Sequence, residues 1–140
     1  MDRRSHNVYG TPRLAPNAKL EKFETAQLKR SSLLLNTAQR TVVEKAVREV
    51  CEYRRYYLRA VNARINHVHT VVSAGSRPEP VMEAFKAYAT RQLRAAGLLP
   101  AGFKPWARHG STIYLWKPRH VEMAIDYVIN GQGDELPKFE

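Results

Sequence analysis

Residues 58–74, LRAVNARINHVHTVVSA, constrain the fold more than any other stretch of the chain. His67–Ala74 is dense in β-branched side chains, which pack well on a pleated sheet. Leu58–Ala63 reads as its partner strand and Arg64–Asn66 as the tight turn between them, so a β-hairpin is predicted. What flanks it has a different period. From a cap at Asn36 or Thr37, the apolar positions Val43, Ala46, Val47, Val50 and Tyr53 recur every three to four residues and predict a helix to about Arg55. After the loop GSRPEP (75–80), Met82, Phe85, Ala89, Leu93 and Ala96 predict a second helix from about Pro80 to Ala96, stopped by Gly97. Thr112–Trp116 reads as a strand, and Pro118–Asn130 as a last helix with Val121, Ala124, Ile125 and Val128 inward. This order predicts an α+β fold, helices packed on a small antiparallel sheet. Residues 1–32 are expected to be an irregular basic arm, with a short helix over 20–30. Residues 33–140 are expected to form one domain, starting with a short strand over Ser32–Leu35.

The charge narrows the choice of partner. The 140 residues carry a net charge of +10. Residues 1–120 hold 22 Lys/Arg against 8 Asp/Glu, while residues 121–140 hold one against five. The surplus therefore belongs to the body of the protein and favours a polyanion, because neutralised phosphates release counterions. The single cysteine, Cys51, excludes an internal disulfide and a Cys-rich zinc site. There is no run of about 18 apolar residues and no apolar leader at the N-terminus, so a cytoplasmic, nucleoid-associated protein is expected.

Two groups of residues carry chemistry. His67 and His69 lie two apart in a predicted strand, so both imidazoles point to one face, roughly 7 Å apart along the chain. Such a pair is either a site for a divalent cation or a polar solvent face, and these residues alone leave both open. On the second helix, Tyr88 and Gln92 are one turn apart at the border of the buried stripe. A phenol with a pKa near 10 is a poor nucleophile. It can attack a phosphodiester when a metal ion polarises the phosphate.

The segment Asn66-His67-Val68-His69, followed by the helix from Phe85 through Tyr88 to Leu93, resembles the single-tyrosine HUH transposases. Within them it is most similar to the REP-associated tyrosine transposases. The resemblance runs from about Leu35 to the end and takes in Trp106 and the closing helix with Tyr127, Val128 and Asn130. It implies a ferredoxin-like, HUH endonuclease-like sheet with packed helices. It implies Mg²⁺ or Mn²⁺ held by His67 and His69; some members take a third ligand from the residue four past the tyrosine, here Gln92. It implies Tyr88 as the nucleophile that forms a 5′-phosphotyrosine link on single-stranded or hairpin DNA and leaves a 3′-hydroxyl. A homodimer is allowed for, with attack in the same chain or in a partner. One departure is plain: the aromatic-rich first strand usual in the family has no evident counterpart before Leu33.

Arg64, Lys86, Arg91, Arg94, Lys104 and Arg108 are candidates to track a DNA backbone, as are Arg54, Arg55 and Arg59 as a group. Trp106 is a candidate to stack on an unpaired base; Trp116 is expected in the core. His109 and His120 have no partner at ligand spacing. Two other readings compete. A non-cleaving relative would bind a DNA or RNA hairpin with the same surface. A zinc enzyme acting on a metabolite would need a third strong ligand, and between Asn66 and Leu93 only Glu79 and Glu83 are on offer.

Overall fold

In a computed structural model the chain is described at residues 20–28, 34–75, 77–100, 102–107 and 110–131. Seven elements follow in order: β1 (Leu20–Gln27), α1 (Thr37–Arg54), β2 (Tyr57–Ala63), β3 (His67–Ala74), α2 (Pro78–Ala95), β4 (Ser111–Leu115) and α3 (Pro118–Asn130). The strands form one antiparallel sheet in the order β2-β3-β1-β4. The predicted α+β class, hairpin and three helices are all present.

Local chemistry explains where the helices begin. The Asn36 side chain accepts from the Gln39 amide, and the Gln39 side chain accepts from the Asn36 amide, each at 2.8 Å. This reciprocal cap satisfies two amides that the first turn leaves open. Pro residues stand in the first turns of α2 and α3, where no amide donor is needed.

The sheet separates two cores. On one face, α1 and α2 pack Val43, Val47, Val81, Phe85 and Leu93 against Leu58, Val61, Val68 and Val72. On the other, α3 packs Ala124 and Val128 against Phe23, Ala60, Val71 and Leu115. Alternation along β3 assigns its residues accordingly: Val68, Thr70 and Val72 face α1 and α2, while His67, His69 and Val71 face α3.

β1 corrects the expectations for the N-terminal third. LEKFETAQ is not a helix but an inner strand, paired with β3 on one side and β4 on the other. Residues 20–28 therefore belong to the sheet region and not to an arm; residues 1–19 and 29–33, with the rest of the expected arm and the first half of the expected Ser32–Leu35 strand, lie outside the described residues. Leu34 and Leu35 belong to no strand. The misreading has a physical cause: Leu, Glu, Lys, Ala and Gln favour helix locally, and tertiary burial overrides that preference. Lys22 and Glu24 are both buried, Glu24 beneath α1 and α2. Lys22 Nζ donates to the Ala74 carbonyl at 2.7 Å. Glu24 lines a small cavity with Thr70, Met82, Phe85 and Trp106. Neither of its carboxylate oxygens has a hydrogen-bond partner among the described residues, and burial pushes its pKa up to about 8.

Trp116 is a further correction. It lies just past the end of β4 and is 70% exposed, not in the core. Tyr53, counted above among the apolar positions of α1, is exposed as well.

Candidate active site

The β3 histidines meet on the α3 face. Their ring centres are 4.4 Å apart, with the planes steeply inclined. His69 is only 2% exposed. Its Nδ1 lies 3.0 Å from Thr25 Oγ1, its ring stacks on Phe23 at 5.7 Å, and its Nε2 has no hydrogen-bond partner among the described residues. Burial, then the neighbouring His67 and Arg64, lower the His69 pKa to about 3. The imidazole is therefore neutral at physiological pH, the form that ligates metals.

The tyrosine beside this pair is Tyr127. Its ring centre is 5.3 Å from that of His69 and 5.9 Å from that of Phe23. The last turn of α3 is fastened from the hairpin. Asn62 Nδ2 donates to the Val128 carbonyl at 2.8 Å, and an Arg64 guanidinium nitrogen donates to the Tyr127 carbonyl at 3.0 Å. The same guanidinium lies 5.4 Å from the centre of the Tyr127 ring, within cation–π range. Gly131 closes the helix with its amide on the Tyr127 carbonyl at 2.9 Å. A Cβ at Gly131 would collide with that carbonyl oxygen and with the Tyr127 ring.

Tyr88 and Gln92 are not brought to the histidines. Both belong to α2, which packs on the opposite face of the sheet. Tyr88 packs at the edge of the α1–α2 core and lines a groove with Glu49, Tyr53, Arg54 and Arg91. Its hydrogen bond to Glu49 raises the pKa of the phenol further from the working range of a nucleophile. Tyr127 had appeared in the sequence only as part of the closing helix. The available signal was strand parity: Val68, Val72 and Ala74 are apolar and take the two long helices, so the histidine face is left for the last one.

Residues 25–108 match the family described as transposase, IS200 like. The chain belongs to the IS200-like transposase family. Solved structures agree on the fold. One is a REP-associated tyrosine transposase bound to a REP hairpin, at TM-score 0.63 and 17% identity over 85% of this chain and 70% of that one. Another is a provisionally assigned transposase from Deinococcus radiodurans R1, at TM-score 0.58 and 16% identity over 87% of this chain and 95% of that one. No curated protein matches the sequence. The family match includes the histidine strand and ends before α3.

Within this transposase fold the basic candidates divide. Lys86, Arg91, Arg94, Lys104 and Trp106 line one open groove, on the α2 side of the sheet. Several of them also support the structure. Lys86 is buried and donates to the Ala107 carbonyl at 3.0 Å. Arg94 donates to the Phe103 carbonyl at 2.8 Å, and Trp106 Nε1 donates to Thr90 Oγ1 at 3.0 Å. Arg91 and Lys104 are exposed. Arg64 belongs instead to the Tyr127 site, and Arg108 and His109 lie outside the described residues. His120 is buried.

A divalent cation suits part of this set. Two imidazoles, one of them the neutral His69 with a buried Nε2 that has no partner among the described residues, match the donor chemistry of such ions. Among the described residues no cluster of three or more His, Cys, Asp or Glu could hold a metal. Gln92 is on the wrong face, and the position four past Tyr127 is Gly131, which has no side chain. No helix of the described residues is long and apolar enough to cross a membrane.

Proposed function

We propose that the chain is a metal-dependent single-stranded DNA endonuclease and strand transferase with Tyr127, not Tyr88, as nucleophile. The observation that carries the reading is the meeting of Tyr127, His67 and His69 on one face of the sheet. His67 and His69 would hold Mg²⁺ or Mn²⁺ through their imidazole nitrogens. When bound, the ion withdraws charge from the scissile phosphate and stabilises the charge that develops on its oxygens. Tyr127 gives up its phenolic proton, and its oxygen bonds to phosphorus. The bond from phosphorus to the 3′-oxygen breaks, and that oxygen takes a proton and leaves as a 3′-hydroxyl. The 5′ end remains on the tyrosine. Arg64, against the ring and backbone of Tyr127, holds the phenol at the histidines.

The neighbour solved with a REP hairpin supports hairpin DNA as the substrate class. The groove lined by Arg91, Arg94 and Lys104 is where we place contacts to its backbone.

One observation favours a second reading, a non-cleaving relative that only binds a hairpin. Gly131 supplies no third ligand at the position where some members of the resembled group have one. A covalent-adduct assay separates the two. Wild type, Tyr127→Phe and Tyr88→Phe are mixed with labelled single-stranded hairpin DNA and Mn²⁺ and run on a denaturing gel. Label should travel with wild type and Tyr88→Phe but not with Tyr127→Phe. Retention of the DNA by wild type without any adduct would move the binding-only reading ahead.

A further inference from the structure

We infer that Thr25 fixes the tautomer of His69, keeping the ring proton on Nδ1 so that Nε2 offers its lone pair to a divalent cation. The inference rests on the metal reading of His67 and His69 above and names the residue that prepares that site.

The β1–β3 register places Thr25 directly opposite His69, so the hydroxyl and imidazole share a face. Thr25 Oγ1 and His69 Nδ1 are 3.0 Å apart. Thr25 is also paired with Ser111 of β4, so its backbone is held in ladders on both sides. Phe23, two residues along the same strand, stacks on the imidazole and limits its rotation. One strand thus sets both the plane of the ring and the contact of one of its nitrogens.

The other nitrogen decides the direction of that contact. A neutral imidazole has one N–H and one lone pair, and a hydroxyl can serve either. If Thr25 donated to Nδ1, the proton would be on Nε2. That N–H would be buried with no acceptor among the described residues, and its lost hydration would go uncompensated. If Nδ1–H donates to Thr25, Nε2 carries a lone pair instead, and a cation satisfies it. Thr25 is then a positioning residue and not a ligand, since its oxygen is engaged by Nδ1. Partners of this kind, once removed, typically cost roughly 10–100-fold in metal affinity.

The test is a Mn²⁺ titration of the full-length, metal-free chain, with free Mn²⁺ read by electron paramagnetic resonance. Wild type, Thr25→Val, Thr25→Ser and His69→Ala are compared, and nitrogen-15 NMR reads the His69 tautomer in the metal-free protein. We expect Nδ1–H in wild type, affinity close to wild type in Thr25→Ser, and roughly 10–100-fold weaker binding in Thr25→Val. Valine suits an inner strand, and a thermal melt checks its fold. If Thr25→Val does not fold, the wild-type tautomer and Thr25→Ser still decide. An Nε2–H tautomer in wild type overturns the inference. So does Mn²⁺ binding by Thr25→Val that equals wild type while His69→Ala has lost it, and that pattern leaves the metal reading intact. No Mn²⁺ binding by wild type overturns both.

Discussion

Arg64 holds Tyr127 twice: its guanidinium donates to the Tyr127 carbonyl at 3.0 Å and sits 5.4 Å from the centre of the Tyr127 ring. The turn that leads into the histidine strand thereby holds the helix that carries the phenol. Replacing Arg64 with alanine should cost roughly 1–3 kcal/mol of stability, as for a hydrogen bond to a charged group. It should slow adduct formation by up to about a hundredfold, because small displacements of a reacting group have large effects on rate. Single-turnover adduct kinetics beside a thermal melt would measure both. Unchanged kinetics would mean that the contact does not position the phenol.

Gly131→Ala should act on the same helix from its other end. The added methyl meets the Tyr127 carbonyl and ring, so the last turn must shift. A stability loss of about 1–3 kcal/mol is expected, as in other overpacked sites. Adduct yield should fall while hairpin DNA is still retained on a filter. Full adduct yield would show that the turn relaxes without moving Tyr127.

Glu24 makes stability depend on pH. Its folded pKa, about 8, is above its ordinary value of 4.5, so the folded chain holds a proton that the unfolded chain releases. Its contribution is fully present below about pH 4.5 and is lost as pH rises through about 8. The size is of order a few kcal/mol. His69 has the opposite sign: its folded pKa of about 3 makes folding less favourable as pH falls below 6.5. Denaturant melts from pH 5 to 9 should show stability falling towards the alkaline end in wild type. Glu24→Gln, which cannot ionise, should show a much flatter profile. Equal slopes would place the proton elsewhere.

Lys104 and Arg91 are exposed in the groove on the α2 side. Substituting either with alanine should weaken hairpin binding and reduce the slope of log K against log salt by about one each. The thermal midpoint should barely move. Lys86→Ala and Trp106→Ala should instead destabilise the fold, because both side chains hold the loop after α2. If salt slopes do not change for Lys104 and Arg91, the DNA lies elsewhere.

Helix limits were legible because their causes are local. Asn36 and Gln39 cap each other, and Pro118 opens α3 where the sequence places it. β1 was not legible, because Lys22 and Glu24 are buried by elements that arrive later in the chain. The histidine pair was legible from strand alternation. The choice of tyrosine was not. Tyr88 is nearer in sequence, but nearness in sequence does not say which face of a sheet a helix will cover. That depends on the connections after β3 and β4, which carry α2 to one side and α3 to the other.

The two-faced sheet has a consequence for how DNA could be measured. The basic groove lies on the α2 side and the Tyr127–histidine cluster on the α3 side, with a wall of four strands between them. A strand gripped in the groove and cut at the tyrosine has to travel around a rim of that wall. The span of unpaired nucleotides from the gripped stem to the broken bond is then set by the thickness of the protein. The fold would act as a ruler, choosing its cut by contour length as well as by the bases it touches.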